Sequence, residues 1–320
     1  MTQIQTVLGS IDAHELGPTL MHEHLMIGWP GWEADLAAMQ PTRTESFKLC
    51  VDRLEELKAH GMRTLLDPCP IDLGRDVEFA AEVAQRAKVN LICATGLYKE
   101  DQGGNAYFRF RARFQDVIGE MAEIFEREIR EGIGSTGIRA GVIKVATGEG
   151  QITPYEENVL RAAARAHKAT GVPITTHTEH GTMGPQQVEI FASEGVDLAR
   201  VIIGHCCGNS DLAYHTSMLD RGCYLGFDRF GLEILHPDRE RLAVLIGLLG
   251  IGFERQLVLS HDTVWCWRGR APKLPPDLLP LWKPTYVFET IVPKLREAGV
   301  SQEKISTMLV ENPRRYFAGA

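Results

Sequence analysis

The chain has 320 residues, 44% of them hydrophobic and 24% charged, which is enough apolar material for a large core and excludes disorder and fibrous repeats. Its 34 basic and 42 acidic residues leave a formal net charge of −8, so no general attraction to phosphate backbones or anionic lipid is expected. Seven cysteines, at positions 50, 69, 93, 206, 207, 223 and 266, show no CxxC spacing; reduced thiols are expected rather than a disulfide framework or a thiolate zinc site.

The opening residues, MTQIQTVLGS, show no basic region followed by an apolar stretch, and the most apolar run, residues 242–253, is too short to span a bilayer. The expectation is a cytoplasmic protein with neither a membrane nor a nucleic-acid partner. Short runs rich in Val, Ile and Leu then alternate with amphipathic helical stretches, the pattern of βα units around a parallel sheet. Strands are expected at residues 19–24, 63–67, 90–95, 141–145, 174–177, 201–205, 224–227 and 257–260. One intervening helix shows both of its ends: Thr153 and Glu156 form a capping box around Pro154, and Gly171 stops it before Pro173. Eight units predict an α/β fold of the (β/α)8 TIM-barrel type, a single domain over residues 1–320. An open doubly wound sheet is the alternative, but no GxGxxG or GxxxxGK[ST] follows the first strand, as its nucleotide-binding members require. The Pro-rich segment 272–284 follows the eighth strand and is expected to be a lid loop.

Polar residues stand where the apolar strands end. His22 and His24 in LMHEHL share one face of a strand while Glu23 points the other way, so two imidazoles can share one ion. Two hydrogen-bonded structural histidines would give the same pattern. His177, His205, and the pair His261 and Asp262 end three further strands. Each alone reads as a buried histidine or a helix cap; together, at the one mouth where barrel strands converge, they favour a metal site. Lys144 in GVIKVAT is the most diagnostic residue, because an ammonium inside a parallel strand costs many kcal/mol unless it is paired or chemically altered. It could snorkel to a strand end. As a neutral amine it could instead add CO2, giving a carbamate whose two oxygens can bridge two divalent ions.

MHEH, IKVAT, ITTHT, GHC and SHD occur in the order and spacing of the phosphotriesterase family of the amidohydrolase superfamily, which the chain resembles from about Leu8 to the ENPRRYF stretch. The resemblance implies two divalent metal ions. His22, His24 and Asp262 would hold the more buried one, His177 and His205 the more exposed one, and N-carboxylated Lys144 would bridge them. Zinc is the first choice of metal, with cobalt, manganese or iron as alternatives. The lactonase branch is resembled more closely, through Tyr98 in ATGLY and Arg229 in DRFG, where dedicated phosphotriesterases usually carry tryptophan and histidine. Tyr98 could also be an amphipathic rim residue, and Arg229 a partner for Asp228.

The expected activity is therefore hydrolysis of a small lactone or related carboxylic ester by hydroxide generated at the metal pair. In that reading Asp262 takes the nucleophile's proton, Tyr98 orients the lactone and Arg229 supports the mouth. Organophosphate hydrolysis is expected as a side activity. A dedicated phosphotriesterase is the alternative, and a catalytically silent binder a further class; a zincin is excluded because HExxH is absent. Glu179 and His180 depart from fixed family features, and His180 is expected in a surface loop. Trp29 and Trp32 follow the first strand, while Trp265, Trp267 and Trp282 follow the eighth. Those strands adjoin in a closed barrel, so the tryptophans should gather over one sector of the mouth, against an apolar acyl or aryl group. Contact between two copies would use the same aromatics, and a homodimer is expected. Residues 263–283 are expected to form a mobile aromatic lid in which Trp265 and Trp267 select the substrate.

Overall fold

The computed structural model describes residues 2–38, 41–277 and 280–319. An antiparallel hairpin, β1 (Gln3–Thr6) and β2 (Gly9–Asp12), opens the chain. Then come β3 (Thr19–Leu20), β4 (His24–Ile27), β5 (Thr64–Asp67), β6 (Asn90–Gly96), β7 (Val142–Thr147), β8 (Ile174–Thr178), β9 (Val201–Ile203), β10 (Tyr224–Phe227), β11 (Leu257–Leu259) and β12 (Val264–Trp267). Eight of these, β3 and β5 to β11, pair in parallel in chain order. Met21 N–H donates to Leu259 O at 3.4 Å and Asp262 N–H to His22 O at 3.0 Å, which brings the last strand back to the first. The result is the expected (β/α)8 barrel. Its outer helices include α1 (Arg43–Ala59), α2 (Val77–Ala87), α3 (Asn105–Arg111), α4 (Val117–Arg130) and α5 (Pro154–Thr170). Among the described residues no helix is long and apolar enough to cross a membrane.

Strand alternation divides the core in two. Met21, Leu66, Ile92, Ala94, Val142, Ile202, Tyr224 and Val258 point inward and pack with Ile4 of the hairpin and with Tyr316 and Phe317 near the C-terminus. Leu65, Leu91, Ile143, Ile174, Val201 and their neighbours point outward under the helices. Two residues above Val142 on the same face comes Lys144, which is why it points into the barrel. Gly96 allows this packing: at φ +112°, an added Cβ would sit 1.8 Å from Lys144 O. The capping box of α5 forms as expected, and Gly171 ends that helix in the left-handed conformation.

Two expectations change at the rim. The first strand is not continuous over 19–24 but breaks between β3 and β4, and the chain beyond Asp262 is not all loop. β12 pairs in parallel with β4, so the first and eighth strands each continue above the barrel as a two-stranded extension. Glu23 is the reason. Fully buried, it accepts from Ser260 Oγ at 2.7 Å, His261 N–H at 2.8 Å, and Thr263 N–H and Oγ1–H, and it meets His261 Nδ1 at 2.7 Å. Its side chain thus occupies the closing seam while His22 and His24 stay on the inner face. Glu23→Ala should lower the unfolding free energy by about 3–5 kcal/mol, because it strands several buried donors. The expected readout is a reduced urea midpoint at unchanged slope; a wild-type midpoint would mean the seam is held elsewhere.

Candidate metal centre and its cleft

Four histidines, one aspartate and one lysine meet at the C-terminal ends of the strands. His22 Nε2 and His24 Nε2 lie 3.4 and 3.3 Å from Asp262 Oδ1, and these three residues offer ligand atoms all within 4.8 Å of one another. Lys144 Nζ is 3.3 Å from His22 Nε2 and donates to Thr176 O at 3.4 Å. The His205 ring centroid is 4.6 Å from that of His22 and 4.6 Å from that of His177. His205 and Asp262 both stand at positive φ, +59° and +56°, a strained conformation for such side chains that turns them back over the barrel. The strand expected to run to residue 205 therefore ends at Ile203.

Carboxylates sit behind the histidines. Asp67 Oδ1 is 3.1 Å from His24 Nδ1 and Asp228 Oδ1 is 2.9 Å from His205 Nδ1. Asp228 Oδ2 lies 3.2 Å from His22 Nδ1, at an angle too poor for a hydrogen bond. A carboxylate only accepts, so the ring nitrogen facing it carries the proton and Nε2 is left with its lone pair. In His24 that lone pair points at Asp262 Oδ1. Two acceptors in contact repel unless a proton or a metal ion stands between them, and a set of imidazole and carboxylate donors suits a divalent ion of the zinc type. The residues therefore fit a metal.

The charges around the centre are compensated rather than absent. Burial, helped by the nearby Arg229 charge, pulls Lys144 down to about 8, and burial, helped by Lys144 itself, pulls His22 to about 3. Burial also lowers His177 and His205. For Asp262 burial works upward, but His205, His22 and Arg229 hold its carboxyl well below the usual range. For His24 burial works downward and is outweighed by hydrogen bonding to Asp262 and Asp67, which raises it. Tyr98 is raised by burial and stays a neutral hydroxyl.

Arg229 donates from Nε to Asp262 Oδ2 at 2.9 Å, so it pairs with the centre and not with the adjacent Asp228. Tyr98 Oη is 3.2 Å from His177 Nδ1. Both line a cleft of about 200 Å3 over the centre, together with Lys144, Glu179, Leu73, Leu232 and Val264. His261 does not join them: its Nδ1 faces Glu23, and its Nε2 accepts from Val287 N–H at 2.7 Å, fastening the eighth strand to the C-terminal helices. His180 is exposed, as expected.

The tryptophans divide. Trp29 and Trp267 stack at 5.6 Å with 15° between planes and, with Trp282, line the cleft. Trp32 packs under the Arg268 guanidinium at 4.6 Å. Trp265 is buried on the other side of β12, against α1, with Nε1 donating to Thr263 Oγ1, so its expected place in the lid is wrong. Strict alternation would put Trp265 and Trp267 on one face; here Trp265 and Cys266 both enter the outer core beside α1 while Val264 and Trp267 face the cleft, so the alternation is interrupted between Trp265 and Cys266. Residues 278 and 279 of the expected lid lie outside the described residues.

Asp67, Asp228 and Lys99 were not singled out as site residues from sequence, though Asp67 and Asp228 end apolar strands just as His177 does. That signal was available for both aspartates. For Lys99, buried beside Glu179, nothing in LYKED announces it.

A lysine, four histidines and an aspartate gathered at the mouth of such a barrel define a metal-dependent hydrolase. The chain belongs to the phosphotriesterase family, which it matches over residues 2–317. It is 39% identical to a phosphotriesterase homology protein of Mycobacterium tuberculosis, over 99% of this chain and 98% of that one. The solved structure of an organophosphorus hydrolase from Deinococcus radiodurans superposes with a TM-score of 0.96 at 44% identity, covering 99% of this chain and 97% of the other. A substituted PTE-like lactonase from the same organism gives 0.95 at 43%, covering 98% and 99%.

The division of tryptophans carries a prediction. Trp265→Ala should cost about 3–5 kcal/mol of stability and Trp267→Ala less than about 1 kcal/mol, compared by urea unfolding. The reverse order would return Trp265 to the cleft.

Proposed function

We propose that this hydrolase opens small lactones, or closely related carboxylic esters, and turns over phosphotriesters as a secondary activity. The observation that carries the reading is the joint placement of Tyr98 and Arg229 in the cleft, one hydroxyl against His177 and one guanidinium against Asp262. Names borne by the related structures, a PTE-like lactonase and an organophosphorus hydrolase, support both activities. The cleft favours the first. The stacked Trp29 and Trp267 give one wall of the cleft an apolar face suited to the single acyl arm of a lactone.

In this reading His22, His24 and Asp262 would hold one divalent ion and His177 and His205 the other, with Lys144, as a carbamate, serving both. Zinc is the first choice of metal. When bound, the ions lower the pKa of a water toward about 7 and polarise the carbonyl or phosphoryl oxygen. Lys144 is suited to its part: with burial lowering its amine to about 8, a neutral fraction is present near neutral pH. The neutral amine adds CO2 and releases one proton. Tyr98, a neutral donor, orients the carbonyl oxygen. Asp262 accepts the proton of the attacking water at a carboxylate oxygen, and Arg229 keeps that carboxylate ionised and aligned. The tryptophan stack excludes water from one side and holds the apolar arm. A homodimer using this aromatic rim belongs to the same reading.

Active protein should contain close to two metal equivalents by elemental analysis. Lys144→Ala should lose metal and activity together, with partial rescue by a short carboxylic acid; full activity without rescue would remove the carbamate.

The substrate reading is decided by kcat/KM for a lactone series and an aryl dialkyl phosphate on one batch of protein. Lactones should lead, and Trp267→Ala should change the ranking of acyl lengths while both ions stay bound. A lead for the phosphate would make this a dedicated phosphotriesterase, and metal-replete protein inert to both would leave a binder.

A further inference from the structure

We infer that Glu179, anchored by Lys99, is the positioning residue that makes His177 present Nδ1 to the centre while the other histidines present Nε2; the inference rests on the hydrolase reading above. His177 ends β8, and the chain turns at once so that Glu179 folds back over it. Glu179 Oε2 lies 3.1 Å from His177 Nε2 and also contacts Lys99 Nζ. Lys99 comes from the loop after β6 and is 3% exposed; its second carboxylate neighbour, Asp101 Oδ2, is 3.5 Å away. On the opposite edge of the imidazole, Tyr98 Oη is 3.2 Å from Nδ1.

These contacts determine the ring. An ionised carboxylate has no proton to donate, so Nε2 carries the hydrogen and Nδ1 the lone pair, which accepts from the Tyr98 hydroxyl. For His24 and His205 the arrangement is reversed: Asp67 and Asp228 take Nδ1. One of the four imidazoles is thus rotated end for end relative to those two. The backing of a metal-held histidine by a carboxylate fixes both its tautomer and its plane. Without Glu179, the Nε2–H would lose its acceptor, and the ring would be free to exchange tautomers or turn over.

Lys99 explains why Glu179 stays. A short chain at a loop start could swing to solvent, and the exposed His180 approaches its other oxygen at only 3.8 Å. A lysine buried to this degree has to keep its counter-ion, because the unpaired charge is far more costly than the pair. Lys99 therefore acts on His177 through Glu179 and does not itself line the cleft.

The test uses full-length protein labelled with 15N-histidine, the His177 ring being assigned by comparison with His177→Asn. In metal-free wild type, the ring nitrogen shifts should report a proton on Nε2. Glu179→Ala should move them toward a mixture or toward Nδ1–H. Because Glu179→Ala leaves Lys99 unpaired, the double variant Lys99→Met with Glu179→Met provides the same comparison without a buried lone charge. In metal-loaded protein both variants should release one of two ions at chelator concentrations about 10- to 100-fold lower than wild type, with the other ion unmoved and kcat reduced more than KM is raised. Wild-type ring shifts together with wild-type release of both ions in the double variant would overturn the inference. Wild-type protein that binds no ion would instead count against the hydrolase reading, and the ring shifts would still decide the role of Glu179.

Discussion

Keeping a lysine inside a closed barrel is the constraint around which this molecule is arranged. Lys144 points inward because it shares a strand face with Val142, and burial strips its amine of most of its water. Its amine is therefore shifted toward the neutral form, and the carboxylates nearby are spaced so that none forms a simple ion pair with it. Asp262 is engaged by Arg229, Asp228 by His205, Asp67 by His24. The lysine is left with a histidine and a carbonyl oxygen. An amine in that setting is a nucleophile, which is a chemical property created by packing.

The barrel was legible because strand alternation and helix ends are local signals, and the inward histidines, Lys144 and Asp262 were legible because a polar residue in an apolar strand is costly. Relations between distant segments were not. Glu179 and Lys99 are 80 positions apart, and nothing in either neighbourhood predicts their pairing. Glu23 could be seen to point away from His22 and His24, but not that five groups of the eighth strand end converge on it. His261 illustrates the cost of reading position alone: it ends a strand like the others, yet the neighbouring carboxylate turns it outward. The segment after Asp262 misled for another reason. Its prolines and glycine suggest a loop, and only the existence of β4 above the barrel gives Val264–Trp267 a partner to pair with.

That pairing separates the work of the aromatic residues. Trp265 stabilises the seat of β12 on α1, and Trp267 faces the cleft from the other side of the same short strand. One strand thus carries both a core contact and a binding wall, because its alternation is interrupted between Trp265 and Cys266.

For the history of this chain the consequence concerns insertions and deletions. In most barrels the loops at the mouth vary freely in length, because nothing downstream depends on their count. Here a single residue gained or lost between Asp262 and Trp267 would shift the pairing of β12 with β4 and carry the Trp267 indole off its cleft-facing position. Diversification of this wall is therefore confined to exchanges of one side chain for another, and variation in length is free to accumulate only beyond the end of the strand.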